Sequence, residues 1–222
     1  MNAPSTLSHV DAARPAVSRV RLPPEVRINQ ILDAAPVEFS TKGFTATRIE
    51  DIAKRAGLSK GGLYAHFESK DAVFEALLNR TLTPPHIDVD RLINNSANAA
   101  ELVHQFVELM YRDLTNTAAI ATLRLLIAES ERVPHLVALW QRNAMEAHIG
   151  RVRDVFIRSV DKGLCRACMI TKEPWMAISP LVHIVMSELI FGSAVGIESE
   201  HMKSMDEAKQ DHIDLLCELL TP

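Results

Sequence analysis

Two helical patterns that abut with almost no chain between them constrain this 222-residue sequence more than any other feature. In the run from Thr47 to Phe67 (TRIEDIAKRAGLSKGGLYAHF), Thr47 followed three residues later by Glu50 is a capping-box pattern that predicts a helix starting at Thr47. Gly57 supplies the left-handed residue that ends it after about ten residues. Ser59 then caps a second helix almost at once. So short a gap leaves no room for an antiparallel hairpin, so the two helices must cross steeply, and Ala53 and Ala56 are small enough to let them approach. This is helix-turn-helix geometry, with Ile52, Leu58, Leu63 and Phe67 turned into a small core.

The rest of the chain reads as helical too. Only 8 glycines among 222 residues argue against a turn-rich β fold, and no strand-like alternation persists. Residues 1–24, with four prolines and three arginines (Arg14, Arg19, Arg21) and no apolar periodicity, read as a disordered arm. From Glu25 to about Phe67 short helical patterns form a compact three-helix unit. Ser69 caps a further helix in which Val73, Phe74, Leu77 and Leu78 recur at helical spacing until Pro84-Pro85 forbids continuation. Helical periodicity resumes from Val103 onward, with Pro134 at a helix start, and ends in segments at about 175–197 and 206–220. The expectation is an all-α chain of about nine helices, with an N-terminal helix-turn-helix domain at 25–70 and a helical bundle at 71–222.

In helix-turn-helix geometry the second helix enters the major groove with its N-terminal residues nearest the bases, which places Lys60, Gly61 and Gly62 there, with Tyr64 and Ala65 one turn on. Adjacent glycines cost about 1 kcal/mol each relative to alanine in a helix, which makes sense where backbone must come close to DNA; the plainer reading is a frayed helix start. Lys60 can donate to guanine or to a phosphate, and Tyr64, His66 and Lys70 carry donors suited to phosphate oxygens. The helix start at Thr47, with Arg48 beside it, can offer backbone N–H groups to another phosphate.

Taken together, Gly43-Phe44, Thr47, Ile52-Ala53, Ala56-Gly57-Leu58-Ser59, Gly61, Leu63-Tyr64, His66-Phe67 and Ser69-Lys70 resemble the DNA-binding domain of TetR-family transcriptional regulators. Ile31-Leu32-Asp33-Ala34-Ala35 and Phe39 extend the match, which covers about residues 27–78. The resemblance implies an all-α homodimer with one helix-turn-helix head per subunit and a ligand-binding bundle whose last two helices pair with the partner. It implies phosphate contacts at Thr47, Tyr64, His66 and Lys70 and base-facing positions at Lys60, Gly61 and Tyr64. The stretch LRLLIAESERVPHL at 123–136 is similar to one C-terminal subtype. Pro36 departs from the family pattern. It removes the N–H bond to Leu32 inside the first helix, at a cost of about 3 kcal/mol or a kink, and predicts a bend near Leu32–Pro36.

For an effector the bundle offers Met110, Trp140, Met145, Trp175 and Met186, with Arg124, His148, His183 and Glu188 on the same helices. Apolar walls with a few polar groups are the general form of small-molecule sites, although most such residues in any bundle are plain core. Pro174–Ile197 and Asp206–Leu220 carry more apolar surface than one bundle face requires, which assigns them to a dimer interface. Glu188, His183 and Pro180 argue against reading the first of these as a membrane span.

Cys165 and Cys168 have C-x-x-C spacing but lack a second ligand pair, so neither a metal nor a cofactor is expected, and three cysteines suit a reducing cytoplasm better than export. The start of the chain carries no lysine-led apolar run of the kind that directs secretion. No phosphate loop, nucleophile elbow or paired-carboxylate spacing suggests an enzyme.

The expected function is therefore a cytoplasmic, homodimeric repressor that binds an inverted-repeat DNA operator and is released by a small apolar or amphipathic effector. The rivals are an activator or ligand-independent DNA-binding protein and, more remotely, a small-molecule enzyme. The net charge of −4 speaks against DNA only until it is divided. Residues 1–83 hold 11 Lys plus Arg against 9 Asp plus Glu, a balance of +2, and residues 84–222 hold 13 against 19, a balance of −6. The acidic excess belongs to the bundle.

Overall fold

The computed structural model describes residues 22–114, 117–191 and 204–222. The expected disordered arm lies, up to residue 21, outside the described residues, as does the end of the apolar segment from 192 onward. Helix α1 (Pro24–Lys42) starts on a proline, whose fixed φ and missing N–H suit a first helical position. It closes at Gly43, where φ is +77° and the N–H bonds the Phe39 carbonyl at 2.9 Å.

Helix α1 runs through Pro36 without a break in its helical assignment. The Leu32 carbonyl, which Pro36 cannot bond, accepts instead from Nη2 of Arg80 at 2.6 Å, while Nη1 of Arg80 pairs with Asp33 at 2.8 Å. A side chain 48 positions away thus fills the gap that the proline leaves.

Helix α2 (Ile49–Arg55) begins two residues later than the Thr47 box predicts. Arg48 occupies the cap, and since its side chain has no acceptor the only reciprocal bond is from its N–H to Asp51 Oδ2 at 3.2 Å. Gly57 (φ +70°) ends the helix as expected, with the Leu58 N–H reaching back to Ala53 at 2.8 Å. Helix α3 (Lys60–Tyr64) follows, its cap Ser59 accepting from the Gly62 N–H. In α4 (Lys70–Thr81) Ser69 accepts from Ala72. Ile52 and Leu63 are fully buried and Leu58 and Phe67 half-buried, and Phe39, Phe44 and Phe74 form an aromatic cluster with centroids 5.1–5.5 Å apart.

The second region comprises α5 (Val89–Asn94), α6 (Ala99–Leu114), α7 (Thr117–Glu129), α8 (Pro134–Trp140), α9 (Ala147–Asp161), α10 (Met169–Lys172), α11 (Ser179–Phe191) and α12 (Met205–Leu220). The short α5 and α10 add to the roughly nine helices that periodicity predicts, because one or two turns carry too few apolar repeats to register. A π-helical stretch, Gln141–Glu146, joins α8 to α9, and a 3-10 turn, Pro174–Ala177, precedes α11.

Two apolar cores result, and they do not divide where the chain divides. One holds α1–α4 together with Ala119, Leu125, Leu126, Val133 and Leu136 of the α7–α8 region. The other gathers α5, α6, α9 and α10–α12 around the Phe106–Phe156 pair, whose centroids are 5.2 Å apart. The helix-turn-helix head therefore shares its core with α7 and α8, so a shift of those helices is felt in the head. Within the second core, Tyr111 bonds Nδ1 of His212 at 3.2 Å and Nε2 of His212 bonds the Ala177 carbonyl at 2.9 Å, tying α6, α12 and the 3-10 turn together.

Candidate nucleic-acid interface and effector cavity

The exposed side of α2–α3 presents Arg48, Lys60, Gly61 and Tyr64, as the sequence predicts, with His66 half-buried beside them. Gly61 and Gly62 differ in why they are glycine. A Cβ on Gly62 would stand 3.3 Å from the capping Ser59 hydroxyl, so the fold itself favours glycine there. A Cβ on Gly61 would meet nothing within 4 Å, so packing within the chain does not require glycine there.

Lys60 is held by a neighbour that spacing did not reveal. Its Nζ lies 2.5 Å from Glu50 and 5.9 Å from the Tyr64 ring centroid. The hydrogen bond to Glu50 raises the ammonium above its ordinary range, and the same contact lowers the Glu50 carboxyl. Both side chains are about half exposed, so water screens the pair and DNA can compete for the lysine.

Two of the expected phosphate contacts are turned inward. Thr47 is buried, and its hydroxyl donates to the carbonyls of Gly43 at 2.7 Å and Glu38 at 3.1 Å. Lys70 crosses back to the loop between α1 and α2. There its three ammonium donors meet the carbonyls of Phe44 (2.6 Å), Thr47 (2.9 Å) and Thr45 (3.1 Å), and its charge sits 4.5 Å from the Phe44 ring centroid. Desolvation pulls its pKa down. Lys70 is thus a clamp on the loop that leads into α2, and both it and the Thr47 hydroxyl are engaged within the protein. Nearby, Glu38 is buried and gathers Lys42 (2.9 Å) and Arg55 (2.6 Å), contacts that hold its carboxyl below the usual range.

A cavity of about 310 Å³ lies where the C-terminal end of α4 meets α6, α7, the α8–α9 junction and α11. Met110, Trp140, Met145, His148 and Met186, five of the seven candidate effector residues, line it. Arg124 and His183 do not. The guanidinium of Arg124 reaches outward to the Leu189 carbonyl at 3.2 Å, and His183 lines a separate, more polar cavity between α11 and α12, together with Glu188. Helical periodicity puts both on bundle helices but does not tell which face of α7 carries Arg124 or which face of α11 carries His183. Trp175 is exposed on the 3-10 turn. Sequence reading missed the wall that α4 and the following turn provide: Thr81, Leu82, Thr83 and the two prolines, Pro84 and Pro85. Trp140 fastens that wall by donating from Nε1 to the Leu82 carbonyl at 3.1 Å.

Cys165 is buried, and burial pushes its thiol up to about 11, which leaves little thiolate for metal or redox chemistry. Among the described residues no helix is long and apolar enough to cross a membrane.

Residues 31–77 match the family model for bacterial regulatory proteins of the tetR family, and residues 100–214 match that for the AefR-like transcriptional repressor C-terminal domain. The chain is 24% identical over 157 residues to the HTH-type transcriptional regulator YfiR of Bacillus subtilis, covering 70% of this chain and 71% of that one. It is 43% identical over 68 residues to the HTH-type transcriptional activator FasR of Mycolicibacterium smegmatis, a match confined to 31% of this chain and 29% of the relative. Among solved structures, a TetR-family transcriptional regulator from Mesorhizobium loti superposes with a TM-score of 0.64 at 20% identity, covering 91% of this chain and all of that one.

Proposed function

Since the chain belongs to the TetR family of DNA-binding transcriptional regulators, we propose that it is a homodimeric repressor of an inverted-repeat operator, released by a small apolar or amphipathic effector in the 310 Å³ cavity. In this reading residues 25–70 act as the DNA-binding head and residues 71–222 as the effector-binding and dimerisation region, at work in the cytoplasm with its DNA.

The observation that carries it is the double engagement of α4. At one end Lys70 clamps the loop leading into α2, and at the other Thr81 and Leu82 line the cavity. A ligand that prefers one placement of Leu82, Pro84 and Pro85 biases the whole helix and so the position of the head. An effector shifts the equilibrium by its differential affinity for the two placements and by no more than that.

The dimer reading rests on α11 and α12. Val182, Met186, Ile190, Phe191 and Leu215 stand 40–59% exposed, a cost in water that a partner copy would remove. Val182 and Met186 also line the cavity, so ligand and dimer face share two residues.

Base contacts fall to Lys60, Gly61 and Tyr64, and phosphate contacts to Arg48, Tyr64 and His66. Two recognition helices must then reach successive major grooves about 34 Å apart. Selection of bound DNA from a random pool tests this directly. An inverted repeat with half-sites one helical turn apart is the expected product, and a single unrepeated site would refute the dimer. The match of the head to the activator FasR supports activation as a second reading, which a promoter–reporter assay separates by its sign.

A further inference from the structure

Of the described residues that line the cavity, Leu82, Leu123 and Trp140 also lie in or against the core of the helix-turn-helix head. Among these three only Trp140 carries a polar side-chain group, and that group joins two elements. Its Nε1–H donates to the Leu82 carbonyl at 3.1 Å, 58 positions back in the chain. Leu82 caps α4, with its own N–H on the Leu78 carbonyl at 2.7 Å, so its carbonyl moves with the last turn of that helix. The lining hydroxyls of Thr81 and Thr83 make no such link. They donate to the carbonyls of Leu77 and Asn79, each four positions back, so their bonds travel with α4 wherever it goes.

The helix that carries Trp140 is tied to the opposite end of α4 as well. Near the start of α8, His135 Nε2 stands 2.7 Å from Oδ2 of Asp71, in the first turn of α4 and one residue beyond the Lys70 clamp. Between the two ties Leu136 is buried in the head core. A ligand that fills the cavity touches the indole. A displacement of about 1 Å takes a 3.1 Å hydrogen bond past its working length, since such bonds weaken steeply with distance and angle. The apolar contacts of Leu82 and Leu123 are non-directional and tolerate the same movement. The Leu82 carbonyl, on a residue only 7% exposed, then lacks its donor, which favours a placement of α4 that gives it another.

We propose that Trp140 is the positioning residue of the effector response: its bond to the Leu82 carbonyl couples what occupies the cavity to the placement of α4 and so of the head. The inference rests on the effector reading given above and names the residue through which it acts.

Affinities of the full chain test it. The neutral apolar probe 1-decanol is titrated calorimetrically with and without the operator duplex selected above, and the operator is titrated by fluorescence anisotropy with and without 1-decanol. Coupling is reciprocal, so both routes return one ratio, expected to be about fivefold or more in the native chain. Trp140→Phe keeps the aromatic body and removes the N–H. Whatever it does to each affinity by itself, the ratio should fall to about one. Trp175→Phe makes the same change at the exposed tryptophan outside the cavity and should keep the native ratio. That second variant also leaves Trp140 as the one tryptophan in the chain. Should Trp140→Phe fail to fold, the emission of Trp140 in Trp175→Phe still decides, and it is expected to shift when operator is added without decanol.

A ratio that survives in Trp140→Phe, or a Trp140 emission that operator leaves unmoved, overturns the role of Trp140 and leaves the effector cavity standing. So does a ratio that Trp175→Phe abolishes equally. If 1-decanol does not bind the native chain, or binds it equally with and without operator, the effector reading falls together with the proposal.

Discussion

Arg80 and Pro36 should be energetically coupled although 44 positions separate them in sequence. Proline at 36 has no N–H to give to Leu32, and the Arg80 guanidinium takes that carbonyl at 2.6 Å in a partly buried contact. A hydrogen bond to a charged donor contributes about 1.5–3 kcal/mol, and its loss strands the carbonyl as well. The second contact, to the largely exposed Asp33, adds about 0.5 kcal/mol or less. Arg80→Ala in the native background should therefore cost about 2–3 kcal/mol. In a Pro36→Ala background the N–H restored at that position reoccupies the Leu32 carbonyl by the ordinary helical bond, and the same Arg80→Ala should cost about 1 kcal/mol or less. The coupling is then about 1–2 kcal/mol, well outside the scatter expected for independent sites.

Urea unfolding followed by far-UV circular dichroism, at one fixed protein concentration because the protein dimerises in the proposed reading, measures all four corners of the cycle. Additivity within about 0.5 kcal/mol would show that Arg80 does not fill the proline gap, and the account of how α1 tolerates Pro36 would fail.

Lys70→Met removes the donor for three loop carbonyls while keeping the stem. It should lower the thermal midpoint by several degrees, about 4 °C or more if two of the bonds matter, and weaken operator binding without changing its salt slope. A phosphate-contacting lysine would instead flatten that slope by about one unit with stability unchanged, so differential scanning calorimetry together with a salt titration separates the two roles. Glu50→Gln frees Lys60 and removes a negative charge near DNA. Binding should tighten for operator and scrambled duplex alike, as read by fluorescence anisotropy, and an unchanged affinity for both would show that the pair places no restraint on Lys60. His148 and His212 are both held below the ordinary imidazole value by burial, so the unfolded chain binds protons that the folded chain refuses. Stability should be full above about pH 6.5 and fall as pH drops below it, and His212→Gln, which keeps a donor and an acceptor, should reduce the acid loss measured by urea unfolding at about pH 7.5 and 5.5. An identical loss in the variant would exclude His212 as a source.

What could be read from residue order was what local chemistry decides. Gly57, Ser59 and Ser69 end and start helices by their own backbone preferences, and each stands where the pattern put it. The one cap that moved, from Thr47 to Arg48, moved with a tertiary contact: the Thr47 side chain is buried and its hydroxyl is turned toward the Glu38 and Gly43 carbonyls of the preceding helix end and loop. The engagement of Lys70 is hidden from the sequence for the same kind of reason. A lysine at a helix start next to a groove-facing pair looks like a phosphate ligand, and only the fold shows three carbonyls converging on it from 23–26 positions away. In the bundle, five of the seven candidate cavity residues line the cavity, four of them large apolar side chains and the fifth the buried His148. Arg124 lies outside it because its guanidinium reaches the Leu189 carbonyl, a partner that periodicity does not report, and His183 because it stands on the face of α11 that lines the other cavity.

The internal engagement of the head's basic residues also decides how operator binding can be controlled. Lys42 and Arg55 are paired with Glu38, Lys60 with Glu50, Arg80 with Asp33, and Lys70 with backbone. Among the described residues of α2 this leaves Arg48, at its cap, and Lys54 exposed and outside any ion pair, and a handful of phosphate contacts gives only modest nonspecific affinity. A head held to DNA by a dense cationic surface would tolerate misplacement, since many weak contacts can re-form one phosphate along. A head with few such contacts depends on both recognition helices meeting their grooves together. Each operator half-site lost to misplacement then removes base contacts worth about 1–3 kcal/mol apiece. In the proposed reading, a movement of α4 by a fraction of a helical turn, driven by a ligand against Leu82 and Pro85, would be enough to break such binding, and the sparse charge of the head would let a small cavity act as the switch.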